Sequence, residues 1–179
     1  MKKLSMDELG RVTPEEYKKQ EKTPVVLVLD NIRSMHNVGS AFRTCDAFNV
    51  ERLYLGGITA TPPQKEISKT ALGATDSVDW TYPEDVVELA KQLKSDGYAI
   101  ILVEQTDTST MLQDFDFTQY EKVALFVGNE VFGISDGLLP LCDAAVEIPQ
   151  FGTKHSLNVA VATGIVLWEA MRGELAVSS

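Results

Sequence analysis

The feature that most constrains this chain is a set of short runs containing no charged or amide side chain. Val25-Val26-Leu27-Val28-Leu29 opens the series, and Tyr98-Ala99-Ile100-Ile101-Leu102-Val103 and Val123-Ala124-Leu125-Phe126-Val127 repeat it. A strand with one wet face alternates apolar and polar residues, whereas a strand covered on both faces does not. These runs therefore call for a sheet with cover on both sides, and the intervening segments can supply it. Between Asn37 and Phe48 the residues Val38, Ala41, Phe42, Cys45 and Phe48 recur at helical spacing. Gln64 to Ala71 and Pro83 to Leu93 read as helices, with Pro83 suited to a first helical position and Gly97 to a stop. Leu53-Tyr54-Leu55 and Ala145-Val146-Glu147-Ile148 read as further strands, Asp136 to Leu141 as a short helix, and Ser156 to Arg172 as a long one. The alternation predicts an α/β domain: a mostly parallel sheet with helices on both faces. Ligands of such sheets sit beyond the carboxyl ends of the strands.

A chain of 179 residues suits one domain, and 44% hydrophobic with 23% charged residues is an ordinary globular balance. Residues 1–23 are polar and read as a solvated N-terminal extension with at most one helix, leaving 24–179 as the folded domain. No apolar run approaches the roughly 20 residues that span a bilayer. The basic start, Met1-Lys2-Lys3-Leu4, has no apolar stretch behind it, so no membrane association and a cytoplasmic location are expected. Cys45 and Cys142 sit in apolar patterns without metal-ligand spacing, as reduced, mostly buried thiols do. The net charge of −10 argues at first against a nucleic-acid partner. Its distribution weakens that objection: residues 1–75 carry +2, 76–147 carry −12 and 148–179 are balanced. One near-neutral or basic face would suffice for RNA, with the acidic middle segment lying mainly elsewhere.

Three loops carry chemistry. In Asn31 to Thr44, Asn37 can cap the following helix and Gly39 can leave backbone N–H groups open to a ligand. Arg43, six residues after Asn37, offers a permanently charged fork suited to phosphate. Gly128-Asn129-Glu130-Val131-Phe132-Gly133-Ile134-Ser135 nearly matches a P-loop, but Ile134 stands where the lysine belongs and Glu130 would repel phosphate. Glu130 fits better as an acceptor for nearby backbone N–H groups. In Ile148 to Ala162, a glycine loop leads into an apolar helix with Ser156 as its natural N-cap. Asn158 is a poor helix former just inside it, so a specific hydrogen-bonding role is expected. His155, standing alone, reads as a surface histidine.

The order Asn-x-Gly-x-x-x-Arg-Thr, then Gly-Asn-Glu-x-x-Gly, then Ile-Pro-…-Gly-…-Ser-Leu-Asn-Val resembles the motif set of the SpoU–TrmH branch of the SPOUT RNA methyltransferases. The resemblance covers roughly residues 24–172 and departs from the common pattern at Gln150 and Ala160. It implies a C-terminal trefoil knot, a homodimer whose active sites draw on both chains, and S-adenosylmethionine bound against the knot loops. The cofactor-holding positions it implies are Val103, Gly128, Ile148 and Leu157. It assigns Arg43 to the target nucleotide's phosphate and hydroxyl, Asn37, Ser156 and Asn158 to orientation, and Glu130 to holding its loop. The expected reaction is methyl transfer to a ribose 2′-hydroxyl of tRNA or rRNA, with the cofactor bound without metal. Three rivals stand beside it: a non-catalytic RNA-binding protein on the same fold, a small-molecule α/β enzyme, and a base methyltransferase of another SPOUT branch. The small-molecule reading lacks both a G-x-G-x-x-G fingerprint and a P-loop lysine.

Overall fold

The computed structural model describes residues 1–5, 7–154 and 156–177. Seven strands form one sheet: β1 (Thr23–Asp30), β2 (Val50–Gly56), β3 (Trp80–Thr81), β4 (Ala99–Val103), β5 (Thr110–Met111), β6 (Val123–Val127) and β7 (Ala144–Glu147). Every pairing is parallel and the spatial order is β3-β2-β1-β6-β4-β7-β5. The three uninterrupted apolar runs lie side by side at the centre, Val25 opposite Val123 and Val123 opposite Ala99. That is where a strand loses both faces to packing. Two strands enter out of sequence: β6 between β1 and β4, and β7 between β4 and β5.

Side chains of β1 divide by parity. Val25, Leu27 and Leu29 join one apolar cluster, whereas Val26 and Val28 join the other. The first cluster is covered by α2 (Met35–Ala47), α3 (Lys65–Ala71), α4 (Ala74–Ser77) and α6 (Val159–Val177). The second is covered by α5 (Val86–Ser95) and the 3-10 helix Asp136–Leu141. The expected α/β sandwich, with helices on both faces, is the one observed.

Helix starts differ from those the sequence suggests. α2 begins two residues before Asn37, because Ser34 takes the Asn37 N–H at 3.3 Å. α5 begins at Val86 rather than Pro83, since Asp85 accepts from the N–H groups of Val87 and Glu88. α6 begins after Asn158, whose side chain accepts from Ala160 N at 2.9 Å, so Ser156 is not its cap. Gly39 is buried, and a methyl group there would overlap Thr70 Oγ1 and the Ile67 carbonyl. Its lack of a side chain lets α3 cross close to α2; it does not open amides to a ligand.

The N-terminal segment is less solvated than its composition suggests. Helix α1 (Pro14–Lys19) carries a capping box between Thr13 and Glu16. Tyr17 is buried, donates from its hydroxyl to the Cys45 carbonyl at 3.2 Å, and lies under Lys22 Nζ at 3.3 Å from the ring centre. One aromatic in a polar run has no periodicity to announce it. No helix among the described residues is long and apolar enough to cross a membrane.

Candidate active site

Beyond the carboxyl ends of β6, β4 and β7 lies a cavity of about 320 Å³. Its size is at the lower end of small-ligand sites. Val103, Gly128, Ile148 and Leu157 all line it, together with Glu130 and Ser156. Gly128 meets the backbone of Gly133 so closely that a methyl group there would overlap it, which brings bare peptide to the wall.

Asn37 of α2, Glu130 of the loop after β6 and Asn158 just before α6 form a chain that meets the cavity at Glu130. Asn158 Nδ2 donates to Asn37 Oδ1 at 3.2 Å, and Asn37 Nδ2 donates to Glu130 Oε1 at 3.2 Å. An ionised carboxylate only accepts, so Glu130 fixes which way the Asn37 amide faces, and through it Asn158. Glu130 also accepts from Arg33 N at 3.1 Å and Ser34 N at 3.2 Å. Burial pushes its pKa up, but these hydrogen bonds outweigh burial and hold it below the ordinary carboxylate value of 4.5. Its own backbone N–H joins these partners from the first loop and α2. Asn37, inside α2 rather than capping it, is free for this work.

Arg43 is elsewhere. Its exposed side chain lines a groove with Ser40, Thr44, Lys69, Thr70 and Gly164, and a second groove along Gly10–Pro14, but not the cavity. Six residues along a helix is about 9 Å of rise. His155 lies outside the described residues.

A second layer of polar residues has no clear sequence signature. Asp30, 0% exposed at the end of β1, accepts from Ser135 N at 2.7 Å, Ser135 Oγ at 3.0 Å and Asn31 Nδ2 at 2.7 Å. Asn31, with φ 58°, uses its carbonyl to receive Asn129 Nδ2 at 2.7 Å. Asn129 Oδ1 in turn accepts from Val131 N and Phe132 N, and Glu104 Oε2 accepts from Ile134 N at 3.0 Å. The loop from Gly128 to Ser135 is thus pinned along its length. Acidic residues at strand ends are common on surfaces, and only a left-handed Asn and a full count of loop N–H groups would have hinted at them. The acidic middle segment also enters the site, since Glu104, Glu130 and Glu147 all wall the cavity.

A parallel sheet with a nucleoside-sized cavity at its carboxyl edge, one wall fixed by the hydrogen bonds of Glu104, Asn129 and Glu130, defines an α/β enzyme whose ligand sits at the strand ends. The SpoU rRNA Methylase family matches residues 24–168, and the chain belongs to that family. Among relatives, a tRNA (guanosine(18)-2′-O)-methyltransferase of Aquifex aeolicus is 34% identical over 152 residues, 83% of this chain and 69% of the relative. A 23S rRNA (guanosine-2′-O-)-methyltransferase RlmB of Neisseria meningitidis is 33% identical over 149 residues, covering 83% of this chain and 58% of the relative. Among solved structures, the A. aeolicus TrmH/SpoU tRNA modifying enzyme superposes with a TM-score of 0.82 at 28% identity, over 92% of this chain and 82% of that one. An AdoMet-bound rRNA methyltransferase from Sinorhizobium meliloti gives 0.79 at 27% identity, over 91% of this chain and 61% of that one.

Proposed function

We propose that this protein transfers the methyl group of S-adenosylmethionine to a ribose 2′-hydroxyl of tRNA or rRNA, working in the cytoplasm as a homodimer. The observation that carries the reading is the chain Asn158–Asn37–Glu130, which joins three segments far apart in sequence and meets the cavity at Glu130. The cavity fits the cofactor: bare peptide at Gly128 and Gly133, apolar walls at Val103, Ile148 and Leu157, and carboxylates to balance a cation. S-adenosylmethionine supplies a methyl already activated by its sulfonium. The chain's own residues therefore have to bind, align and exclude water. Val103, Gly128, Ile148 and Leu157 hold the adenosine; Asn37, Ser156 and Asn158 orient substrate and cofactor; Glu130 keeps the rim in register. Alignment of this kind contributes on the order of 7–11 kcal/mol. Arg43 grips the target phosphate and hydroxyl, and as a permanently charged group it is a poor base.

Arg43 stands outside the cavity of its own chain, and its groove runs along Gly164 of α6. The same helix exposes Val161, Ile165 and Trp168 at 51%, 38% and 51%, a stripe at i, i+4 and i+7. A second copy packed on that stripe buries it and completes each site with the partner's arginine. The knot implied by the family is in keeping with β7 slotted between β4 and β5.

Mixing Arg43→Ala with Glu130→Ala chains tests the shared site. Each homodimer is inactive, whereas half of the remixed dimers are hybrids with one intact site, so methylation of total tRNA and rRNA returns to about a quarter of wild type. No recovery on remixing counts against the composite site. No methyl incorporation by wild type counts against the reaction.

A further inference from the structure

The cavity carries negative charge and, among the described residues, no lysine or arginine lines it. Of its three carboxylates, Glu130 is engaged by the first loop through both oxygens. The other two are differently placed. Glu104, at the end of β4, is half-buried; its Oε1 accepts from Gln105 N at 2.9 Å and its Oε2 from Ile134 N. Its carboxylate lies against Gly133, where a methyl group would overlap Oε2. Glu147, at the end of β7, is half-buried and makes no side-chain hydrogen bond or ion pair among the described residues. Partly desolvated carboxylates without a cation cost free energy that a cationic occupant offsets. In a recess with low-dielectric walls their field is less screened by salt than at an open surface.

The cofactor's two forms differ in charge. S-adenosylmethionine carries a sulfonium, an ammonium and a carboxylate, and is a net monocation. Methyl transfer forms a C–O bond and breaks the C–S bond, whose electron pair returns to sulfur, while the hydroxyl proton leaves to solvent. The product left in the cavity is a thioether with no net charge. We propose that Glu104 and Glu147 are specificity-determining residues that make the cavity prefer the methyl-bearing cation over the demethylated product. The inference rests on the cofactor assignment above and goes beyond it, giving the two carboxylates the task of favouring product release after each turnover.

Calorimetric titration of the full chain with S-adenosylmethionine, S-adenosylhomocysteine and sinefungin, an unreactive analogue with an amine at the sulfonium position, tests this without turnover. Wild type is expected to bind both cationic compounds about tenfold tighter than S-adenosylhomocysteine, a difference of the size one partly screened charge pair supplies. Glu147→Gln and Glu104→Gln should each shrink that ratio about threefold, mainly by weakening the cationic ligands. Glu147 holds no other group among the described residues, so its variant carries the test if Glu104→Gln disturbs the loop at Ile134. Equal affinities in wild type, or a ratio unchanged in Glu147→Gln, overturns the inference and leaves the cofactor assignment standing. Failure of all three compounds to bind wild type overturns both.

Discussion

Two loops wall the same cavity and are held in opposite ways. The segment Gly128–Ser135 is tied to β1, to the first loop and to β4 through Asp30, Asn31, Asn129, Glu130 and Glu104. Across from it, the described residues from Phe151 to Leu157 make no hydrogen bond among the described residues, and Phe151 is 97% exposed. One wall is set by the chain's own hydrogen bonds before any ligand arrives; the described residues of the other are not tied to one another or to the rest of the described chain in that way. Preorganised groups spend no free energy on ordering when the reaction comes, and unsatisfied ones are where a cofactor, an RNA or a second chain gains contacts.

The sharpest test beside this contrast is at Arg43, which belongs to neither wall and sits on α2 outside the cavity. Arg43→Ala is expected to lower methyl transfer by about 10²–10³, with cofactor affinity within about twofold, because the side chain is exposed and lines no part of the cavity. Single-turnover kinetics alongside cofactor titration checks it, and near-normal turnover removes Arg43 from the site. On the pinned side the largest effect is on stability. Asp30→Ala leaves Ser135 N and Ser135 Oγ without their acceptor, while Asn31 Nδ2 keeps Ser135 Oγ at 3.3 Å. At about 1 kcal/mol for each of the two half-buried groups, the loss is about 2 kcal/mol. Thermal melting should fall by about 4–8 °C in a chain of this size; a melt unchanged within a degree refutes the pinning.

A subtler outcome concerns Glu130. Its folded pKa lies below its unfolded value, so the stabilisation is complete above about pH 4.5 and is lost as pH falls through the lower, folded value. Wild type should therefore lose stability relative to Glu130→Gln only below pH 4.5, with the difference between them flat from pH 5 to 8. Urea denaturation across that range reads it out, and a crossover near neutrality contradicts the assignment. Smallest of all is Phe151→Ser, expected to alter chain stability by less than about 0.5 kcal/mol. A large loss by urea denaturation would mean that Phe151 already has a partner.

Much of this is legible in the sequence where a residue's role depends on its neighbours in the chain. The central strands are readable because β1, β4 and β6 lose both faces to packing and their cores keep no polar residue. Three of the four expected cofactor positions, Val103, Gly128 and Ile148, fall where strands end and loops begin, and Leu157 lies just before α6. Cap positions are not readable: Ser34 competes with Asn37, and Ser156 with Asn158, and the winner depends on Glu130 arriving from another loop. Two-residue strands β3 and β5 are too short to show a period. Arg43 is partly readable, since six residues at about 100° each turn its side chain about 120° from Asn37. Asp30 and Glu104 look like surface acids until the loop that covers them is in place.

The strand order also sets a timetable. Strand β6 wedges between β1 and β4, and β7 between β4 and β5, so neighbours close in sequence are kept apart until late residues arrive. During synthesis the N-terminal half can pair β1 with β2 and pack α2 against them, but β4 has no adjacent strand until residue 123 has emerged. The cavity has no floor until Glu147 and Leu157 follow. Synthesis must therefore pass β7 and Leu157 before the first methyl donor has anywhere to bind, and a chain cut short before β7 leaves one edge of the sheet unfinished.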